Sequence, residues 1–115
     1  MNLPADDPRL GDMHILIVTF QLHQLSEADY SQVCETTFAP AFEMVPGLLT
    51  KTWLADAANN TYGGVYVWKD RAALAVFQQS ELFASVANHP NLTNLTARDF
   101  AVLESPTRTT RGWIE

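Results

Sequence analysis

PGLLTKTWLADAANNTYGGVYVWKD, residues 46–70, decides the fold. Pro46-Gly47 is a turn signal that closes whatever precedes it. Leu48 to Leu54 is apolar or β-branched at nearly every step. Ala55 to Asn60 is small and polar, rich in Asn and Asp, and reads as a hairpin loop. Thr61 to Lys69 carries two Val, two Tyr and a Trp, types that suit a pleated surface. Two such strands joined by a short loop pair antiparallel. Alternation gives the pair two faces. Leu49, Lys51 and Trp53 share one side of the first strand, against Leu48, Thr50, Thr52 and Leu54. Tyr62, Gly64, Tyr66 and Trp68 share one side of the second, against Gly63, Val65 and Val67. Neither strand has a clean water-facing side, so both faces call for cover. Gly63-Gly64 is unusual inside a strand and marks a bulge or a close approach to the backbone. The aromatic row beside it is either a pocket wall or ordinary sheet core.

Outward from the hairpin, His14 to Leu22 (HILIVTFQL) is apolar on both sides and predicts a central first strand. Ser26 predicts a helix N-cap, with Glu27 and Asp29 in the first turn where the helix dipole favours acid. Tyr30, Val33, Cys34, Phe38, Ala41, Phe42 and Val45 follow as one apolar stripe. Pro40 interrupts it and predicts a kink or a break, from bending round the sheet or from opening to a ligand. After the hairpin, Asp70 caps a second helix carrying Ala73, Leu74 and Phe77. Ser80 restarts it through Leu82, Phe83 and Val86 to Ala87. Asn88-His89-Pro90-Asn91 ends it. Leu92 and Leu95 punctuate a polar linker, and Thr96 to Leu103 is the last strand. Residues 1–12 read as a loose arm. Residues 106–115 form a tail in which Trp113 and Ile114 call for a docking surface.

The order strand, helix, strand, strand, helix, strand is the split βαβ arrangement of an α+β, ferredoxin-like antiparallel sheet with helices on one face. The other face is then apolar and uncovered. A homodimer is the simplest cover, because a two-fold interface uses one patch twice.

The chain has 115 residues, the size of a single domain, 1–115. Its formal net charge of −6, with no Lys/Arg cluster, argues against nucleic acid and anionic membrane as partners. Cys34 is the only cysteine. With no signal-like N-terminus, that favours a reducing, cytoplasmic setting. Three Asn-x-Thr triplets, at Asn59, Asn91 and Asn94, read as chance.

The residues Pro46-Gly47 with Lys51 and Trp53, Thr61 to Tyr66, Asp70 to Leu74, Ser80 to Phe83, Asn88-His89-Pro90, Arg98-Asp99-Phe100 and Pro106-Thr107-Arg108 resemble the YdhR-like monooxygenase family. That family belongs to the dimeric α+β barrel superfamily, with the antibiotic-biosynthesis monooxygenases and haem-degrading enzymes. The resemblance spans about His14 to Arg111. It implies a cofactor-independent monooxygenase acting on a flat aromatic or phenolic molecule. A deprotonated substrate of that kind supplies the electron to dioxygen. The protein's part is a dry aromatic pocket, a proton acceptor, and donors for the anion. Trp53, Tyr66, Trp68, Phe38, Phe42, Phe77 and Phe83 are candidate pocket walls between helices and sheet. His89 is the candidate base, and Lys51 and Arg98 are candidate anion stabilisers. Each has a plainer reading: the phenylalanines as core, His89 as a loop hydrogen-bond partner, Lys51 and Arg98 as solvated strand residues.

No metal or cofactor is expected. His14, His23 and His89 are scattered, and there is no GxGxxG, GxxxxGK[ST] or GxSxG. Cys34, in an apolar stripe, reads as an inert thiol. The alternative to catalysis is a dimeric barrel that only binds a small molecule. A haem-degrading relative is weaker, since Trp68 and His89 have no Asn in the first strand to accompany them.

Overall fold

The computed structural model describes residues 12–115. The arm expected over residues 1–12 therefore lies outside the described residues, apart from Asp12. The elements are β1 (His14–Leu22), α1 (Glu27–Val33), a π-helical turn (Cys34–Phe38), α2 (Ala39–Glu43), β2 (Leu48–Asp56), a 3-10 turn (Ala57–Asn59), β3 (Thr61–Trp68), α3 (Arg71–Gln78), α4 (Glu81–Ala87), β4 (Leu92–Ala101) and α5 (Glu104–Thr109). The strands form one antiparallel sheet in the order β2-β3-β1-β4. This is the expected α+β, ferredoxin-like arrangement.

The helix starts follow from side chains that satisfy free N–H groups. Ser26 Oγ accepts from Asp29 N at 3.1 Å, Asp70 Oδ1 from Ala73 N at 2.8 Å, and Ser80 Oγ from Phe83 N at 3.2 Å. Pro40 has no N–H to give, and the chain meets it with the π turn, where Ala39 N–H reaches back to Cys34 O. The helix is thus wound wider there rather than cut.

The core lies between the sheet and α1 to α4. Leu16, Val18 and Phe20 of β1 and Tyr62, Tyr66 and Trp68 of β3 pack against Tyr30, Phe42, Leu74, Phe77 and Val86. The alternate residues Ile15, Ile17, Val65 and Val67 are only half-buried, and Phe100 is exposed. They line the helix-free face.

Two expectations are corrected. The last strand begins at Leu92, not Thr96, and pairs with Gln21 and Leu22 past an irregularity between Thr19 and Gln21. Asn94, at φ 54°, sits in that irregularity and breaks the alternation that would have revealed the strand. The strand also ends at Ala101, not Leu103, and the chain winds into α5 from Glu104. Beyond it, Ile114 N–H donates to Met13 Sδ at 3.2 Å, and the Arg108 guanidinium lies 5.0 Å from the Trp113 ring centre. The tail therefore docks on its own chain. Among the described residues, no helix is long and apolar enough to cross a membrane.

Candidate active site

β2 is an edge strand, and its register with β3 places Lys51 beside Tyr66 and Trp53 beside Gly64. Both side chains point to the helix layer. There α2 presents Phe42, so the Lys51 amine is boxed by three rings. Its Nζ lies 3.4 Å from the Phe42 ring centre, 3.5 Å from Trp53 and 4.5 Å from Tyr66. Gly64 makes the floor. A Cβ there would stand 2.9 Å from Lys51 Cε and 3.3 Å from Tyr66 Cε1, so the lysine stem occupies the space a side chain would take. Gly63, at φ 148°, faces the Val18 backbone, where a Cβ would come within 1.9 Å of the carbonyl oxygen.

Among the described residues, no carboxylate lies within ion-pair distance of Lys51. Burial lowers its pKa from 10.5 to about 7, opposed weakly by Cys34 nearby. The amine is thus poised to gain or lose a proton near neutrality. Burial raises the hydroxyls of Tyr30 and Tyr66, which stay neutral donors. Burial also pushes the Cys34 thiol up, away from the reactive thiolate.

The space around this amine is divided by Trp53. Inside lies a void of about 10 Å³ among Phe20, Tyr30, Phe38, Phe42, Lys51, Trp53, Gly63, Tyr66, Val86 and Leu92. That is room for one water-sized molecule. Outside are open clefts. One of about 250 Å³ runs between α2 and β2 and includes Ala39, Phe42, Glu43, Lys51 and Trp53. Two others, of about 130 and 280 Å³, share Ser31, Cys34 and Trp53 on the α1 side. The space expected between helices and sheet is thus split: only the water-sized void lies behind Trp53, and the ligand-sized space lies in the open clefts against α1 and α2. Behind Trp53 the rings interlock edge to face, as Phe42 does with Trp53 and Tyr66 at 5.9 and 5.5 Å.

The structure brings together Lys51, Trp53, Tyr66, Phe38 and Phe42. It does not bring the other candidates to them. Trp68 and Phe77 are fully buried core, 5.0 Å apart between ring centres, and Phe83 packs on Phe77 at 5.3 Å. None of the three lines the void. Arg98 pairs with Ile17 and so projects from the opposite, helix-free face, where its guanidinium stacks 5.0 Å from the Phe100 ring. It cannot share an anion with Lys51. His89 lies in the α4–β4 turn, where its Nδ1 accepts from Asn91 N at 3.1 Å. It lines neither the void nor the Trp53 clefts.

A family model described as "Putative mono-oxygenase ydhR" matches residues 15–113. The chain belongs to the ydhR family. No curated protein matches it. Among solved structures it is similar to SnoaB, a cofactor-independent oxygenase from Streptomyces nogalater, at 21% identity and TM-score 0.65, covering 82% of this chain and 96% of that one. It is similar to PA3566 from Pseudomonas aeruginosa at 20% identity and TM-score 0.61, covering 82% and 97%. The hydroxynitrile lyase of Passiflora edulis aligns at 17% identity and TM-score 0.63, covering 83% and 97%. Such likenesses establish the shared fold, which serves more than one chemistry.

In this ydhR-family chain, sequence reasoning missed Tyr30, Cys34 and Phe20 as site residues. Tyr30 opens the apolar stripe of α1, and that position was its one signal. It also missed a polar cluster at the far end of the sheet. His14, 1% exposed, bonds through Nε2 to Asp99 Oδ2 at 2.9 Å, with Arg71 Nε 3.8 Å from the same oxygen. Among the described residues, no three His, Cys, Asp or Glu side chains are grouped to hold a metal.

Proposed function

We propose that this ydhR-family protein is a cofactor-independent monooxygenase for a flat phenolic or quinol-like molecule, with Lys51 as the proton acceptor. The observation that carries the reading is Lys51 itself: an amine without a carboxylate partner among the described residues, boxed by three rings, with a pKa of about 7. An ammonium needed only for solubility would sit in water, and a residue needed only for packing would be apolar. A neutral amine at the mouth of the cleft between α2 and β2 can take a phenol's proton. The ammonium so formed then holds the phenolate beside it, in surroundings of low dielectric where that attraction is strong. The cleft between α2 and β2 offers Trp53 and Phe42 as faces for a planar ring. Membership of the ydhR family and the fold shared with SnoaB support the oxygenase class.

The test is oxygen consumption by metal-free, flavin-free protein with a panel of phenols and quinols. Uptake is expected, and Lys51→Met is expected to lower it by about 10²–10⁴-fold, the usual range for losing a general base. Binding without uptake across the panel would favour the alternative, a barrel that binds such molecules without oxidising them.

The active unit in this reading is a homodimer closed through the helix-free sheet face. Ile15, Ile17, Val65 and Val67 give that face apolar area worth about 25 cal/mol per Å² once covered. A monomer mass by light scattering at micromolar concentration would refute it.

A further inference from the structure

We infer that Lys51 has a second chemistry beyond proton acceptance: its amine is the nucleophile of a covalent site for single-ring aromatic aldehydes, which it holds as imines. The placement of the amine carries this. Its stem lies over Gly64, where a Cβ would stand 2.9 Å from Lys51 Cε. Nζ then sits against the faces of Phe42 and Trp53, 3.4 and 3.5 Å from their ring centres. Those rings are 5.9 Å apart and nearly perpendicular, and Tyr66 stands 4.5 Å from the amine on a third side. Phe42, Lys51 and Trp53 also wall the cleft between α2 and β2, and an electrophile reaches the amine from there. The cleft is about 250 Å³, under the roughly 300–1,000 Å³ of drug-sized pockets, which suits one ring rather than a fused system. The rings in its wall favour an aromatic aldehyde over an aliphatic one.

An ammonium has no lone pair to give. Among the described residues no carboxylate fixes Lys51 as a salt-bridged cation, and burial frees much of the amine near neutrality. Its nitrogen adds to the carbonyl carbon, a carbon–nitrogen bond forms, and the carbonyl electron pair moves to oxygen. A proton passes from nitrogen to that oxygen, giving a carbinolamine. The hydroxyl then leaves with the second nitrogen proton as water, and a carbon–nitrogen double bond remains. Aldehyde and amine have become imine and water, with no oxidant or reductant involved. The protonated imine is again a cation, and the ring faces that meet the ammonium stabilise it too. Lys69, the other lysine of the chain, is exposed and supplies an internal reference.

Benzaldehyde is the probe, added to the full chain under argon at neutral pH with cyanoborohydride, which fixes an imine as a secondary amine. Proteolysis and mass spectrometry then locate the benzyl group. Lys51 should be labelled about tenfold faster than Lys69, or more. Its rate should level off as benzaldehyde rises, while that of Lys69 stays linear. Labelling of Lys51 no faster than Lys69 overturns the proposal. So does a preference that never saturates, which marks a reactive amine without a binding site. Butanal and a four-ring aromatic aldehyde should lose most of the preference; an equal preference with either overturns the single-ring class. Lys51→Met should leave no saturable labelling anywhere, and saturable labelling of that variant would move the site elsewhere. The wild-type ratio is internal, so it decides the matter even if the variant does not fold. The trap needs neither dioxygen nor a phenol, so it fails or succeeds separately from the oxygenase reading.

Discussion

Lys51→Met should stabilise the protein while lowering its activity by about 10²–10⁴-fold. Met keeps a stem that fits over Gly64 and removes only the ionisable end. Burial lowers the amine's pKa from 10.5 to about 7. A fall of about 3.5, at about 1.36 kcal/mol for each pH unit, sets a ceiling near 5 kcal/mol on the cost of the charge below pH 7. The three rings around Nζ give part of this back, about 0.5–2 kcal/mol for cation–π contact. Residual solvent contact gives back more, so the expected gain at pH 6 is about 1–3 kcal/mol. That corresponds to a rise of several degrees in Tm at about 4 °C per kcal/mol for a domain of this size. The sign of the pH dependence follows from linkage. Between pH 7 and 10.5 the unfolded chain holds the Lys51 proton and the folded chain does not, so the wild type gains stability as pH rises through that window. Below pH 7 both states are protonated and the full penalty stands; above 10.5 it is gone. The advantage of Lys51→Met should therefore shrink from pH 6 to pH 10. Urea denaturation at pH 6, 8 and 10 measures it. A difference that does not change with pH, or a variant less stable at pH 6, would refute the reasoning.

Gly64→Ala should evict the lysine stem, since the new Cβ would stand 2.9 Å from Lys51 Cε; turnover should fall at least tenfold with a stability loss of about 1–2 kcal/mol. His89→Ala should leave kcat unchanged and cost about 0.5–1.5 kcal/mol, the worth of its bond from Asn91 N; a hundredfold loss of kcat would restore His89 as the base. Asp99→Ala leaves the buried His14 without its 2.9 Å partner and should cost about 1–3 kcal/mol by urea denaturation, with KM unchanged. The wild-type kcat/KM should rise with pH through about 7, where Lys51 loses its proton, and level off above it.

The fold was legible because its determinants are local. Alternation in Leu48–Asp56 and Thr61–Trp68 fixes the hairpin register, and Ser26, Asp70 and Ser80 announce the helix starts. β4 was partly hidden because Asn94 breaks the two-residue period at its bulge. The site was legible only where strand parity reaches. Parity put Lys51 and Trp53 on one side of β2, and Tyr66 with Gly64 on one side of β3, which is the floor and wall of the amine box. It equally fixes Arg98 on the other side, but only once its pairing with Ile17 is known, and strand pairing is not a local property. Trp68, Phe77 and Phe83 have the same residue types as the box. What separates core from wall is depth, which composition does not record. Pro40 signalled an irregular helix, yet not that the chain would absorb it as a π turn and deliver Phe38 and Phe42 to the void.

The amine box is the hardest part of this molecule to explain as scaffolding. An apolar side chain of the same length would fill the space over Gly64 at no electrostatic cost, and the interlocked rings of Phe42, Trp53 and Tyr66 would keep their contacts with it. Lysine instead brings a charge whose burial destabilises the folded state at neutral pH, and no carboxylate offsets it among the described residues. The contrast with the other buried polar group is instructive. His14, more deeply buried, has Asp99 at 2.9 Å and Arg71 beyond it, as a group kept for structure does. Among the described residues Lys51 has no such partner, and it stands at the boundary between a cleft and a water-sized void. A structural lysine gains from a partner, whereas a proton acceptor is disabled by one. The missing partner is what a base in this position requires.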